Sequence, residues 1–222
     1  MVKIWDIWVR LFHWSFAITV GYLLISGETS FKFIDWHRRA GEIALCLILF
    51  RVAWGFFGSS TARLLPLFKS PREVVSHLGG LFKRRSAAEY HYGHNAAGGY
   101  AVLALLLVVS IQAVTGMFIA DEDEFIEGRF YGVVSRDVGD FLYEVHHWNA
   151  QLIQILVLAH IAMILFYWLY AKTNLLKPML TGFGVANSDV HEPTSEPKIA
   201  SGWYGLIFAI VVGMVFYFVF VR

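Results

Sequence analysis

His146-His147-Trp148-Asn149-Ala150-Gln151 runs through an apolar stretch to Leu158-Ala159-His160-Ile161-Ala162, and the reading of this segment decides the fold. Leu152 to Tyr170 holds no charged side chain, which is the pattern of a membrane-spanning helix. His146 and His160 stand fourteen residues apart on it. At about 100° per residue that spacing falls about 40° short of four turns, so both rings leave one face of the helix, about 21 Å apart along its axis. One helix thus presents an imidazole near each side of a hydrocarbon layer about 30 Å thick. An imidazole facing lipid with unpaired N–H groups is costly, so each ring needs a partner inside the protein. Two partners of one kind, one per membrane side, would be two haems stacked across the bilayer, which is the hypothesis the rest of the chain tests.

Composition agrees with a membrane protein: 57% of residues are hydrophobic, 17% aromatic and only 16% charged, with a mean hydropathy of +0.56. Five apolar runs approach the length of a bilayer span, at about 11–30, 37–57, 97–120, 146–170 and 203–221. A net charge of +1 offers nothing to nucleic acid. The single cysteine, Cys46, excludes an internal disulfide, a cysteine-ligated zinc and an iron–sulfur cluster, and no C-x-x-C-H offers covalent haem attachment. The first run contains His13 and is followed by no small-residue cleavage pattern, so it is expected to be retained as a span.

Charge sets the expected orientation. The loop from Gly58 to Ala96 carries Arg63, Lys69, Arg72, Lys83, Arg84 and Arg85 against Glu73 and Glu89. The loop from Asp121 to Val145 has eight acids and only Arg129 and Arg136 as bases. Positive loops stay inside, which puts the N-terminus in the cytoplasm and, after five spans, the C-terminus on the periplasmic side. Arg38, Arg39 and Arg222 run against this pattern. Thr181 to Ser201, with Asp189, Pro193 and Pro197, is a polar linker to an accessory span from Trp203 to Val221 that offers no ligand.

In that topology His13 and His160 lie toward the cytoplasmic side, His37 and His146 toward the outer side. Depth pairs His13 with His160 and His37 with His146; the alternative for each is an interfacial histidine bonded to water or backbone. Gly41, one turn after His37, would let a porphyrin approach the backbone, although glycine in a span also serves helix packing. Arg51 lies fourteen residues after His37, at the depth where the inner haem would hold its propionates. Arg10 offers the same fork from the first span, or snorkels to headgroups. His147 points about 100° away from His146 and is its rival as outer ligand. His94 and Asn95 open the third span and serve the inner haem, a quinone, or a helix cap. His77, His91 and His191 fall in polar loops and are expected to be solvated. Glu42 is read as an interfacial carboxylate and Cys46 as a small core residue.

Several of these stretches recur together: Trp5-Asp6 through Arg10-Leu11-Phe12-His13-Trp14; His37-Arg38-Arg39-Ala40-Gly41; Phe50-Arg51-Val52-Ala53-Trp54-Gly55; Gly93-His94-Asn95-Ala96-Ala97-Gly98; and the His146/His160 pair ending near Met179-Leu180-Thr181-Gly182. In this order they resemble the bacterial cytochrome b561 family, in particular the b-type cytochromes related to the membrane subunit of nickel–iron hydrogenases. Ala96 stands where proline is usual and Phe183 where a basic residue is usual. The resemblance implies an all-α integral membrane protein, with a four-helix bundle over 1–182 that holds two non-covalent bis-histidine b haems. Its implied ligands are His13 with His160 and His37 with His146. A linker at 183–202 and an accessory helix at 203–222 lie outside that core.

It also implies electron transfer in a bacterial inner membrane, between the quinone pool and a partner redox protein. The acidic run Asp121 to Glu124 offers a basic c-type cytochrome or hydrogenase subunits a docking face on the outer side; otherwise it is a solvated loop. Two rival readings remain open. One is a stand-alone quinone-linked oxidase of a small oxidant such as superoxide; the other is a redox-silent membrane anchor.

Overall fold

The computed structural model describes residues 1–29, 34–82, 93–121, 126–184 and 197–220. Among them are seven α-helices: α1 (Ile7–Glu28), α2 (Ile34–Phe57), α3 (Pro71–Phe82), α4 (Ala96–Thr115), α5 (Arg136–Leu169), α6 (Leu176–Thr181) and α7 (Gly202–Phe220). Five of these, α1, α2, α4, α5 and α7, are long and apolar enough to cross a bilayer. The protein is a multi-pass membrane protein.

Local chemistry accounts for the ends of the elements. α1 begins at Ile7, several residues before the first apolar run, because Asp6 caps it: Oδ1 accepts the Val9 N–H at 2.8 Å. α5 begins ten residues before the expected span, since Arg136–Val145 is charged yet helical, with Asp137 in the first turn where the helix dipole favours an acid. Its 34 residues reach about 51 Å, well beyond a hydrocarbon layer. α4 stops at Thr115, before the expected end, where the chain tightens through Met117 N–H to Val114 O and Phe118 N–H to Thr115 O, both 3.1 Å.

The stretch from Gly58 to Ala96, expected as a loop, contains α3. Ser70, Pro71 and Glu73 start it as a capping box: the Glu73 N–H donates to Ser70 Oγ at 3.2 Å, and the Ser70 N–H to Glu73 Oε1 at 3.1 Å. Two short strand pairs complete the inventory. β1 (Val2–Lys3) pairs antiparallel with β4 (Phe183–Gly184), and β2 (Ala120–Asp121) with β3 (Ile126–Glu127). The acidic residues 122–124, the basic run Lys83-Arg84-Arg85, Glu89, His91, Asp189, His191, Pro193 and Arg222 lie outside the described residues.

The chain forms two compact units. The first comprises Met1–Phe12, Arg51–Ala104 and Leu158–Ala209; the second comprises His13–Phe50, Leu105–Val157 and Ile210–Arg222. In the second, Val20 of α1, Ile48 of α2, Val108 and Val109 of α4 and Ile153 of α5 form one apolar cluster. Lipid is as apolar as these side chains, so close packing rather than escape from water favours their contact. In the first unit Trp54, fully buried, donates its Nε1–H to Asp6 Oδ2 at 3.1 Å. α7 is held there by the Trp8 Nε1–H donating to Gly202 O at 2.9 Å and by Phe208 stacked on Phe57. Gly205 meets the Trp8 indole, where any side chain would collide. The end of the linker is fixed in the same unit, since the Ala200 N–H donates to Ser59 Oγ at 2.9 Å.

Asp6 therefore caps a helix and satisfies a buried indole at once. Asp6→Ala is expected to lower stability by about 1–2 kcal/mol, seen as a lower thermal unfolding midpoint in detergent, and Asp6→Asn, which keeps the cap acceptor, by less.

Candidate functional site

The second unit brings together two of the four singled-out histidines. His37, in the first turn of α2, points its Nδ1 at Ser26 Oγ of α1, 2.8 Å away. With the Ser26 hydroxyl donating to Leu23 O at 3.3 Å, it accepts from the imidazole, and Nδ1 is assigned the hydrogen. His146 of α5 lies with Nδ1 3.1 Å from Gln112 O and 3.1 Å from Thr115 Oγ1, both on α4. A backbone carbonyl only accepts, so this Nδ1 is also the protonated nitrogen of the neutral ring. In both rings the lone pair therefore sits on Nε2. The two imidazoles are within electrostatic reach of each other.

The surroundings hold this arrangement. One turn beyond His146, Asn149 donates through Nδ2 to Val108 O and to Gln112 Oε1, each at 2.8 Å. His146 and Asn149 thus form two rungs onto successive turns of α4. Ser26, Thr115 and Asn149 are all buried. Glycine makes room for the His146 ring, since a Cβ at Gly116 would lie only 2.9 Å from His146 Cε1; one at Gly27 would be in ordinary contact with His37 Cε1 at 3.4 Å. A Cβ at Gly41 would meet nothing within 4 Å, which leaves open space one turn from His37. His147 is exposed, bonds Tyr143 O of its own helix at 3.0 Å and packs on the Tyr143 ring.

The other candidates have surroundings of their own. His13, half-buried in the second unit, meets the Trp14 ring edge-on at 5.1 Å. His160 is half-buried in the first unit. Arg51 is only 2% exposed there, within electrostatic reach of Asp6, and its guanidinium lies 6.0 Å over the Phe12 ring. Its Nη1 has no hydrogen-bond partner among the described residues. Arg10 is turned to the end of α6: Nε donates to Met179 O at 3.4 Å and Nη2 to Leu180 O.

His94 packs its ring against Trp5, 4.8 Å between centroids. Asn95 caps α4, its Oδ1 accepting the Gly98 N–H at 2.7 Å, while its Nδ2 donates to Tyr167 OH at 2.9 Å. The same hydroxyl is 2.7 Å from Nε2 of His77. The expectation of a solvated loop for His77 is therefore corrected: it sits on α3, 7% exposed, because the capped helix turns it inward onto α5. Ser26, Gln112, Thr115 and Gly116 were not singled out from the sequence. The available signal was the polar pair Gln112/Thr115, one turn apart in an otherwise apolar span.

These donors fit an iron porphyrin. Metal-ligating histidines characteristically donate their other ring N–H to a carbonyl or hydroxyl, which fixes ring orientation and leaves the second nitrogen to the metal. His37 and His146 both do so. The unsatisfied Nη1 of buried Arg51 suits a carboxylate, such as a haem propionate.

The comparisons agree in kind. Residues 4–182 match the family described as prokaryotic cytochrome b561. A probable Ni/Fe-hydrogenase B-type cytochrome subunit of Bradyrhizobium diazoefficiens is 24% identical over 213 residues, covering 82% of this chain and 85% of the relative. No solved structure matches.

Gly116→Leu would drive a side chain into the His146 ring and is expected to lower the haem-to-protein ratio of the purified protein. Gly139→Leu, where a Cβ meets nothing within 4 Å, should leave the ratio unchanged; absorbance of the pyridine haemochrome reads both.

Proposed function

This chain belongs to the prokaryotic cytochrome b561 family and is a membrane b-type cytochrome of electron transfer, and on that premise we propose that it carries two b haems and moves electrons across the bilayer between the quinone pool and a partner redox protein. The observation that carries this reading is the His37/His146 pair. Each ring has its Nδ1–H held by an acceptor on a neighbouring helix, so each offers Nε2 to one iron. A second haem takes His13 and His160, with Arg51 meeting its propionates and Arg10 as a lesser contact because α6 already engages it. Gly41 leaves room for the macrocycle near His37. Iron between two imidazoles has no open position, so such a haem supplies one-electron transfer and no bond chemistry.

Quinone then reacts beside the inner haem, with His94 and Asn95 as polar contacts. Asn95 has one Nδ2–H left after its bond to Tyr167, and Oδ1 is committed to the α4 cap. The partner at the outer face is a c-type cytochrome or a hydrogenase subunit. The B. diazoefficiens relative, named as a probable hydrogenase cytochrome, supports the latter. The charge bias of the loops supports an inner-membrane protein with a cytoplasmic N-terminus and a periplasmic C-terminus. Residues 1–182 form the haem domain, 183–202 a linker and 203–222 an accessory helix. A superoxide-type oxidase would want a positive funnel at the outer haem; the acidic outer loop runs against it, although Arg38 and Arg39 flank His37.

Substitution separates the sites. His37→Ala and His146→Ala should each remove the same one of two haems, and His13→Ala and His160→Ala the other, by haemochrome content and the reduced α-band. Loss of haem in His147→Ala with retention in His146→Ala would overturn the outer assignment. In proteoliposomes, electron transfer from an enclosed quinol to an external impermeant oxidant should stop in all four variants.

A further inference from the structure

We propose that α3 and the turn before it form an in-plane membrane element that binds an anionic phospholipid surface, at the membrane face where α2 ends and α4 begins. The inference is independent of the haem assignment.

α3 has three sectors. Val74 and His77 face inward, and His77 is fixed to Tyr167. Val75, 70% exposed, and Leu78 form an apolar row beside them. Arg72, Glu73 and Ser76 occupy the remaining, exposed side. The preceding turn continues the pattern: Leu64 and Leu67 are buried, while Leu65 and Phe68 are 68% and 64% exposed. A helix with one protein face, one apolar exposed face and one polar face fits the plane between acyl chains and headgroups.

Two ties set the depth of this element. The Tyr100 hydroxyl, at the start of α4, donates to Lys69 O at 2.7 Å, and Tyr167, near the end of α5, holds His77. The end of α5 carries exposed Trp168 and Tyr170, and the start of α7 exposed Trp203 and Tyr204. Aromatic residues of these types gather at the headgroup level, so the tyrosines that hold α3 belong to the interfacial belt.

Charge selects the lipid. Arg63 and Arg72 are exposed and Lys69 half-exposed around the apolar row. The one acid among them, Glu73, has its carboxylate engaged by Ser70 at 2.8 Å within the cap. Anionic headgroups complement this set. The capping box lets α3 form locally, so its apolar row needs a cover but not a partner chain to fold.

The test uses the haem-loaded protein with Cys46, its only cysteine, replaced by serine. Nitroxides at Val75→Cys, Leu65→Cys or Ser76→Cys are reconstituted in vesicles of phosphatidylglycerol and phosphatidylethanolamine. The first two should be relaxed by oxygen and shielded from a water-soluble nickel chelate, and Ser76→Cys the reverse. Equal nickel access at positions 75 and 76 would overturn the proposal, and so would shielding of 65 and 75 from both reagents. Lys69→Gln and Arg72→Gln should each weaken the preference for spin-labelled phosphatidylglycerol over phosphatidylcholine by about fivefold; an unchanged preference would remove the anionic assignment.

Discussion

A ring nitrogen that carries a hydrogen inside a membrane must give it to something. At His146 the recipient is Gln112 O, with Thr115 Oγ1 beside it, and at His37 it is Ser26 Oγ. Those bonds do more than satisfy a polar group. They settle which nitrogen is protonated, aim each ring, and leave the opposite nitrogen as a donor of electrons. In the ligation proposed for this b-type cytochrome, the packing of α1 against α2 and of α4 against α5 would hold the two rings in place.

Several polar side chains on the helices have defined partners. α4 is almost wholly apolar between Ala101 and Ile111, and its Gln112 and Thr115 meet α5 at the His146 and Asn149 rungs. In the first unit, Asp6 caps α1, receives the Trp54 indole and stands within electrostatic reach of Arg51. A buried donor left without an acceptor is costly, so Nη1 of Arg51 suits an anionic group such as a carboxylate.

Spans were legible in the sequence because a long run poor in charges has one inexpensive fate in a bilayer, and each of the five runs overlaps one of α1, α2, α4, α5 and α7. Histidine depth rests on the helical rise alone and belongs to the proposed haem arrangement. The acceptors of the imidazole N–H groups were not legible: Ser26 and Gln112 are remote in sequence from His37 and His146, and only packing brings each pair together. The charged start of α5 was missed because an apolar-run criterion ends at Glu144, although a helix does not end where hydrocarbon does. The Ser70/Glu73 capping box did announce α3, but the basic residues around it led to a loop assignment that also hid the inward face of His77.

The most direct measurement is a high-resolution electron-microscopy map of the purified protein in a lipid nanodisc. The account predicts one iron coordinated by Nε2 of both His37 and His146, with each Nδ1 still bonded to Ser26 or to Gln112. An iron reached by His147, or a map with no porphyrin between α2 and α5, would contradict it.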